Sequence, residues 1–307
     1  MAIEIKETKV EKIKRLQKEK DVVILAHYYV DGKVQEIADY VGDSFYLSKA
    51  ATQVEQKNIL FCGVSFMGES AKILNPKKNV IMADESADCP MAHMITAEQI
   101  EEVRRRFDDL AVVCYVNSTA EIKAVSDVCV TSSNAVRVVE RIPEKNIFFV
   151  PDNNLGRYVA QKVPEKHFIF HDGFCHVHKS IHADQLKEAK KLHPDALVLT
   201  HPECTQDVIA LSDFVGSTSE IIDYATSSTA EKFIICTEMG VFFELQQKNP
   251  NKKFYSVGHR QFCPNMKKIT LEKVERALSE LEPVVELPEE IIERASIPLA
   301  KMLELAK

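Results

Sequence analysis

The sequence predicts an α/β protein of three pseudo-threefold-related, three-layer α/β domains, whose small parallel sheets surround a central site. Short apolar runs of strand length alternate with helix-patterned stretches, as in parallel strands joined by crossover helices. The pattern is also an internal repeat, with equivalent segments returning every 84 to 90 residues along a chain of 307. Each round ends on a cysteine: Cys89, Cys175 and Cys263 lie 86 and 88 residues apart.

The chain opens on MAIEIKETKVEKIKRLQKEK, a charged amphipathic stretch that reads as a helix. The first strand of each unit is apolar and ends in polar groups: VVILAHYY (22–29), AVVCYVNS (111–118) and ALVLTHPE (196–203). Aligned end to end, these runs put His27, Asn117 and His201 at one equivalent position. A helical stretch follows, then a short apolar segment closing on hydroxyls: ADYVGDS (38–44), SDVCVTSS (126–133) and SDFVGSTS (212–219). Third strands with their helices occupy 58–74, 146–163 and 232–248. The last strand runs into the cysteine in NVIMADESADCPM (79–91), HFIFHDGFCHVH (167–178) and KFYSVGHRQFCPNM (253–266). The expected domains are therefore 1–92 with the N-terminal helix, 93–179 and 180–265. Residues 266–307 read as helices, the last interrupted at Pro298, that pack back on the first domain.

Composition narrows the function classes. With 45% hydrophobic and 28% charged residues the chain is of ordinary globular type. A net charge of −7 and a pI near 5.9 argue against nucleic acid as a partner, which wants a basic face. No apolar run approaches the roughly 20 residues that span a bilayer, so no membrane partner is expected. The N-terminal stretch lacks the apolar core of a signal peptide, and a cytoplasmic location is expected. There, eight cysteines are core residues, metal ligands or catalytic groups sooner than disulfides.

The eight differ in setting. Cys62, Cys114, Cys129 and Cys236 sit inside apolar strand-like runs and read as small buried hydrophobes. Cys204 ends an HPEC loop, where packing and ligation both remain open. Cys89, Cys175 and Cys263 lie past strand ends, two of them directly before proline. One thiol per repeat can converge on a pseudo-threefold axis, and three ligands leave one coordination position open. Thiolates select zinc, copper(I) or iron–sulfur. A Cys3His zinc site completed by His176 or His178 is one outcome. A [4Fe-4S] cluster with one iron free to act as a Lewis acid fits the three-thiol pattern better.

Strand ends in a parallel α/β sheet are where ligands bind. Here they carry His27, Tyr28, Tyr29, Tyr115, Asn117, His201 and Glu203. Tyr28 alternates with its neighbour along the strand and reads as packing. Ser44, Ser132, Ser217 and Thr218 stand where the following helices begin. Taken singly, each hydroxyl is an ordinary helix cap; repeated in three units, they suggest a cavity for small anions.

The runs AHYY (26–29), IADYVGDS (37–44), FMGESAKIL (66–74), YVNSTAEIKAVSDVCVTSSNAV (115–136), HPEC (201–204), GST (216–218) and CPNMKKITL (263–271) resemble quinolinate synthase over nearly the whole chain. The YVNSTAE and HPEC blocks, in this order and spacing, are the specific part. The resemblance implies a transferase of NAD biosynthesis that condenses iminoaspartate with dihydroxyacetone phosphate, losing phosphate and water as the pyridine ring closes. It implies a three-domain fold, a [4Fe-4S] cofactor on Cys89, Cys175 and Cys263, and a partner enzyme that supplies iminoaspartate. It also implies a substrate pocket of His27, Tyr29, Ser44, Met67, Tyr115, Asn117, Ser132, His201, Glu203, Ser217 and Thr218. Proton transfer next to a carbonyl or imine needs a base, for which Glu203 beside His201 is the expected pair, with Tyr29 and Tyr115 on substrate oxygens. HDGFCHVH and DESADCPMAHM depart from the usual loops around the first two cysteines, which bears on loop shape and leaves the thiols in place. The CPNM turn carries a single cysteine where some members have three, so a disulfide switch there has no partner. Two other readings use the same thiols: a different cluster-dependent hydro-lyase, and a non-enzymatic iron–sulfur or zinc sensor.

Overall fold

The computed structural model describes residues 7–258 and 261–307; part of the expected N-terminal helix and part of the last Cys-bearing run lie outside them. The first unit runs α1 (Lys9–Glu19), β1 (Val22–His27), α2 (Gly32–Ile37), β2 (Tyr40–Gly42), α3 (Ser44–Gln53), β3 (Asn58–Cys62), α4 (Ser65–Leu74) and β4 (Asn79–Met82). The second repeats that order as α5 (Ala97–Arg104), β5 (Leu110–Tyr115), α6 (Ala120–Ala124), β6 (Val128–Val130), α7 (Ala135–Arg141), β7 (Asn146–Val150), α8 (Asn153–Lys162) and β8 (His167–Phe170), with a short α9 (His176–Lys179) after it. The third comprises α10 (Ala183–Leu192), β9 (Leu197–Thr200), α11 (Gln206–Ile209), β10 (Phe214–Val215), α12 (Thr218–Ser227), β11 (Lys232–Cys236), α13 (Val241–Lys248) and β12 (Lys253–Ser256). Two helices follow, α14 (Leu271–Glu280) and α15 (Glu289–Leu305).

Each unit forms one four-stranded parallel sheet in the same order: β2-β1-β3-β4, β6-β5-β7-β8 and β10-β9-β11-β12. The central strands are mainly apolar and buried, polar only at their ends, as parallel sheets covered by helices require. The same device sets the register in all three. Asp39, Asp127 and Asp213, just ahead of the second strands, accept the amides of Ile24, Val112 and Val198 at 2.8, 2.7 and 2.8 Å. Each carboxylate continues the ladder where the short second strand has not begun, satisfying an amide that burial would otherwise orphan.

The register also corrects the expected alignment of strand ends. Ala26 pairs with Cys62, Cys114 with Val150 and Thr200 with Cys236. The next residues, His27, Tyr115 and His201, are therefore the equivalent set, and Asn117 corresponds to Tyr29 and Glu203. Counting back from the polar ends misaligned the second unit because its strand finishes on an aromatic.

Helix α14 lies against α1, α2 and β3 of the first unit, where Lys273 pairs with Asp84 beyond β4. Helix α15 departs from the expectation for the C-terminal segment: it crosses α4 of the first unit and α6, α7 and β6 of the second. Its buried residues Ala295, Leu299 and Met302 fill that seam. Pro298 does not interrupt it; the proline is itself buried within one continuous helix, which tolerates the lost amide hydrogen bond. Among the described residues no helix is long and apolar enough to cross a membrane.

The first and third units meet at a close backbone approach. A Cβ on Gly240 would fall 2.7 Å from the Tyr28 carbonyl oxygen and 2.7 Å from Tyr29 Cα, whereas one on Gly258 would come no nearer than 3.4 Å to Gln185. Gln35 stitches the same contact, its amide nitrogen donating to the carbonyls of Tyr28, Val30 and Gly240. Gly240→Ala is expected to lower the thermal midpoint by several degrees and Gly258→Ala to leave it within about a degree, an effect on the order of 1–3 kcal/mol against almost none. Parallel calorimetric scans of the two variants check this.

Candidate active site

One cavity opens where the carboxyl ends of the three sheets face one another, with about 760 Å³ of atom-free space including its mouth. The first unit contributes His27, Tyr29, Asp43, Ser44, Val64, Phe66, Cys89 and Met91 to its wall. The second gives Tyr115, Asn117, Thr131, Ser132, Cys175, Val177 and the histidines 176 and 178, and His201, Glu203, Thr218, Glu238, Cys263 and Met266 close it. The three cysteines in question all reach it as free thiols, whereas Cys62, Cys114, Cys129 and Cys236 are buried in the sheets. Cys204 is buried too, in the third unit's core, with its thiol on the Cys236 carbonyl at 3.4 Å.

Two expected pocket residues are elsewhere. Met67 is buried in the main core; in the FMGES turn the cavity wall comes from the preceding Phe66, and one step along a helix turns a side chain by about 100°. Ser217 is wholly buried as the N-cap of α12, its hydroxyl accepting from Glu220 N at 3.3 Å. The register explains the division. Asp43, Thr131 and Ser217 form one equivalent set and Ser44, Ser132 and Thr218 the next. In the first and third units the earlier residue caps the helix, Asp43 accepting from Tyr46 N at 2.9 Å, and the residue after it reaches the cavity.

A hydrogen-bonded chain runs across the cavity wall. Tyr29 Oη lies 2.7 Å from Thr218 Oγ1 and 2.8 Å from Thr237 Oγ1, which is 2.9 Å from His178 Nε2. The other ring nitrogen, His178 Nδ1, stands 3.0 Å from Glu203 Oε2 and 3.2 Å from Cys175 Sγ. The rings of His178 and His201 stack with centroids 4.5 Å apart. His27 and His201 are built alike: Nδ1 accepts the amide two residues on, from Tyr29 at 3.1 Å and from Glu203 at 3.3 Å. That bond leaves the proton on Nε2, which in His201 is 3.2 Å from Ser132 Oγ. Glu203 Oε1 and Asn117 Oδ1 are buried without a hydrogen-bond partner in the protein, two acceptors available to something that enters.

Residues 11–304 match the family model described as quinolinate synthetase A protein. The chain belongs to that family. It is 55% identical to the quinolinate synthase of Fusobacterium nucleatum over 296 residues, 96% of this chain and 99% of that one. Against the quinolinate synthase of Caldicellulosiruptor bescii identity is 51% over 293 residues, 95% and 97% of the two chains. With that of Clostridioides difficile it is 48% over 295 residues, 96% and 97%.

For this quinolinate synthetase A family member, burial governs the state of the site's groups. It pushes the thiol of Cys89 up to about 12, helped by the negative charge of neighbouring Cys263 and Glu203, and drives Cys175 well above the ordinary thiol range. Cys263 rises for the same first reason. Three such thiols become thiolates together only around a cation, which is the donor chemistry of a thiolate-bound metal. Burial likewise keeps Tyr29 and Tyr115 protonated, well above the usual phenol range. Strand-end reasoning does not single out His178, which lines the cavity, or Thr237, which hydrogen-bonds behind it. The signal for His178 was present, three residues past Cys175 on one helix face, but Thr237 lies beyond a third strand, where no first-strand pattern points.

The two histidines give the site a pH signature. Burial, with the Lys267 charge, lowers His27 to about 3, and burial with His178 and His27 takes His201 well below its usual range. Below about pH 6.5 the unfolded chain takes up protons that the folded one refuses, so stability falls as pH drops from there toward 3. The slope is at most about 1.4 kcal/mol per pH unit for each histidine. Urea midpoints of metal-free protein are expected to fall between pH 7.5 and 5.5, and His27→Gln to flatten that dependence; an unchanged slope in the variant would assign it to other groups.

Proposed function

We propose that the chain is a [4Fe-4S]-dependent quinolinate synthase, a transferase that joins iminoaspartate to dihydroxyacetone phosphate with loss of phosphate and water. One observation carries the reading: three thiols, one from each repeat, share a cavity with strand-end donors and helix-start hydroxyls also drawn from all three repeats. The iminoaspartate-supplying partner and a cytoplasmic setting belong to the same reading. Cys89, Cys175 and Cys263 would hold the cluster, which when bound supplies a Lewis-acidic iron with an open position.

Among the described residues Cys175, His178 and Glu203 have ligand atoms within 4.8 Å of one another, a set that would suit a single ion. The cluster reading rests instead on the three thiols that reach one cavity, one from each repeat.

The protein's own groups then divide the work. Ser44 and Thr218 begin ten-residue helices, where free amides, the helix dipole and the hydroxyls favour a phosphate or carboxylate. Ser132 lies at the equivalent place in the second unit. His27 and His201, neutral, offer Nε2–H to substrate oxygens, and Asn117 adds amide donors. Tyr29 and Tyr115 donate their hydroxyls to carbonyl and carboxylate oxygens. Glu203 takes the proton from carbon next to a carbonyl or imine. His178 at its Oε2 and Thr237 behind it link that proton to Tyr29.

Anaerobic purification, iron and sulfide analysis, and assay with and without dihydroxyacetone phosphate test the reading; stoichiometric zinc, or turnover without the ketose, would overturn it. Cys175→Ala is expected to lose the cluster and Cys114→Ala to keep it. Glu203→Gln should lower turnover by roughly 10²–10⁴ with iron content and folding unchanged. Ser132→Ala and Ser217→Ala separate anion binding from capping. The first should weaken substrate affinity by about 1.5–3 kcal/mol at constant stability, and the second should cost about 1 kcal/mol of stability. Michaelis constants read beside urea midpoints decide between them.

A further inference from the structure

The backbone N–H of each candidate ligand cysteine donates to a carboxylate. Cys175 N lies 3.0 Å from Asp152 Oδ2, Cys263 N 2.9 Å from Glu238 Oε1, and Cys89 N 2.8 Å from Asp88 Oδ1. Asp152 and Glu238 are wholly buried and equivalent, each two residues beyond the third strand of its unit. The first unit has Val64 at that place, and its cysteine uses the preceding Asp88, a half-exposed residue also held by the Ser65 hydroxyl and His93. The same bond thus arises by two different local constructions.

A buried carboxylate is costly unless it is paired. Asp152 also takes the Leu155 amide at 2.7 Å. Glu238 takes the Gly240 amide on Oε2 at 2.5 Å and faces Lys267 Nζ at 3.0 Å from Oε1. Lys267 in turn donates to the Tyr29 carbonyl oxygen at 2.6 Å. One ion pair therefore joins the Cys263 loop of the third unit to the Tyr29 turn of the first.

We propose that Asp152 and Glu238, with Asp88 in the first unit, are positioning residues for the metal-binding cysteines, and that the Glu238–Lys267 pair sets the charge beside Cys263. The proposal rests on the reading of the three cysteines as cluster ligands. Carboxylates behind the ligands fix the loop geometry, as outer-shell partners do at metal sites. They also withhold the cysteine amides from the cluster sulfurs, whose hydrogen bonds and surrounding charge tune the reduction potential. With Glu238 neutralised, the Lys267 charge stands uncompensated and favours the reduced cluster; with Lys267 neutralised, the reverse holds.

The test uses full-length protein, loaded with iron and sulfide under anaerobic conditions and titrated by redox potentiometry with visible and paramagnetic-resonance readouts. Glu238→Gln should move the midpoint potential to more positive values and Lys267→Met to more negative ones, with the double variant returning toward the wild type. Asp152→Leu, which removes the acceptor, should lower iron per chain several-fold, and Asp152→Asn, which keeps one, should restore it. Cys263→Ala is the control for the underlying reading: retention of wild-type iron would sink that reading, whatever the carboxylates do. If Cys263→Ala loses iron while Glu238→Gln and Lys267→Met both hold the wild-type potential, the charge-setting role of the pair is overturned. Wild-type iron content in Asp152→Leu would overturn the positioning role of Asp152.

Discussion

The register in which the first strand of each unit pairs with its neighbours, the second strand above all, is the constraint on which the site depends. Side chains alternate along a strand, so a slip of one residue would turn His27, Tyr115 or His201 away from the centre and expose its apolar neighbours. Asp39, Asp127 and Asp213 hold that register by taking a first-strand amide each. Their bonds lie a strand's length from the cavity, yet they determine what lines it. With the ends aligned, every repeat delivers a thiol, a hydroxyl and a strand-end donor to the cavity.

Putting so many polar groups in one buried place is tolerable because several are held by the protein itself, Tyr29, His178 and His201 by two partners each. Of the four histidines that line the cavity, His27 and His201 are each tied by an amide from their own loop, which favours one tautomer and restrains the ring. The side chains where helices begin divide similarly between support and display. Ser217 and Asp43 close helix ends, so that Thr218 and Ser44 beside them are held in place without being used up. Of the buried side-chain atoms left unpaired among the described residues, the two on the cavity wall, Glu203 Oε1 and Asn117 Oδ1, come from equivalent strand-end positions.

Much of this could be read in the chain before any coordinates. The three sheets follow from alternating apolar runs and their recurrence, and the convergent cysteines from their place after each fourth strand. What escaped was finer than the repeat. Met67 and Ser217 sit one residue from a cavity position, and neither helix phase nor the boundary between cap and first turn is visible in a composition-level match. Asn117 was aligned with histidines because the polar character of strand ends was counted, whereas the ladder aligns Tyr115. The path of α15 depends on a groove formed by two units, α4 on one side and α6 with β6 on the other, and no local pattern encodes a partner that distant.

The raised thiols have a consequence for how the protein survives before it is loaded. A thiol held in its protonated form is a poor nucleophile, and attack on peroxide or a disulfide proceeds through the thiolate. Cys89 and Cys175, only partly exposed and beside negative charge, are held in the protonated form, which disfavours that attack. The electrostatics that would favour a cation among these three thiols also keep them in their less nucleophilic form.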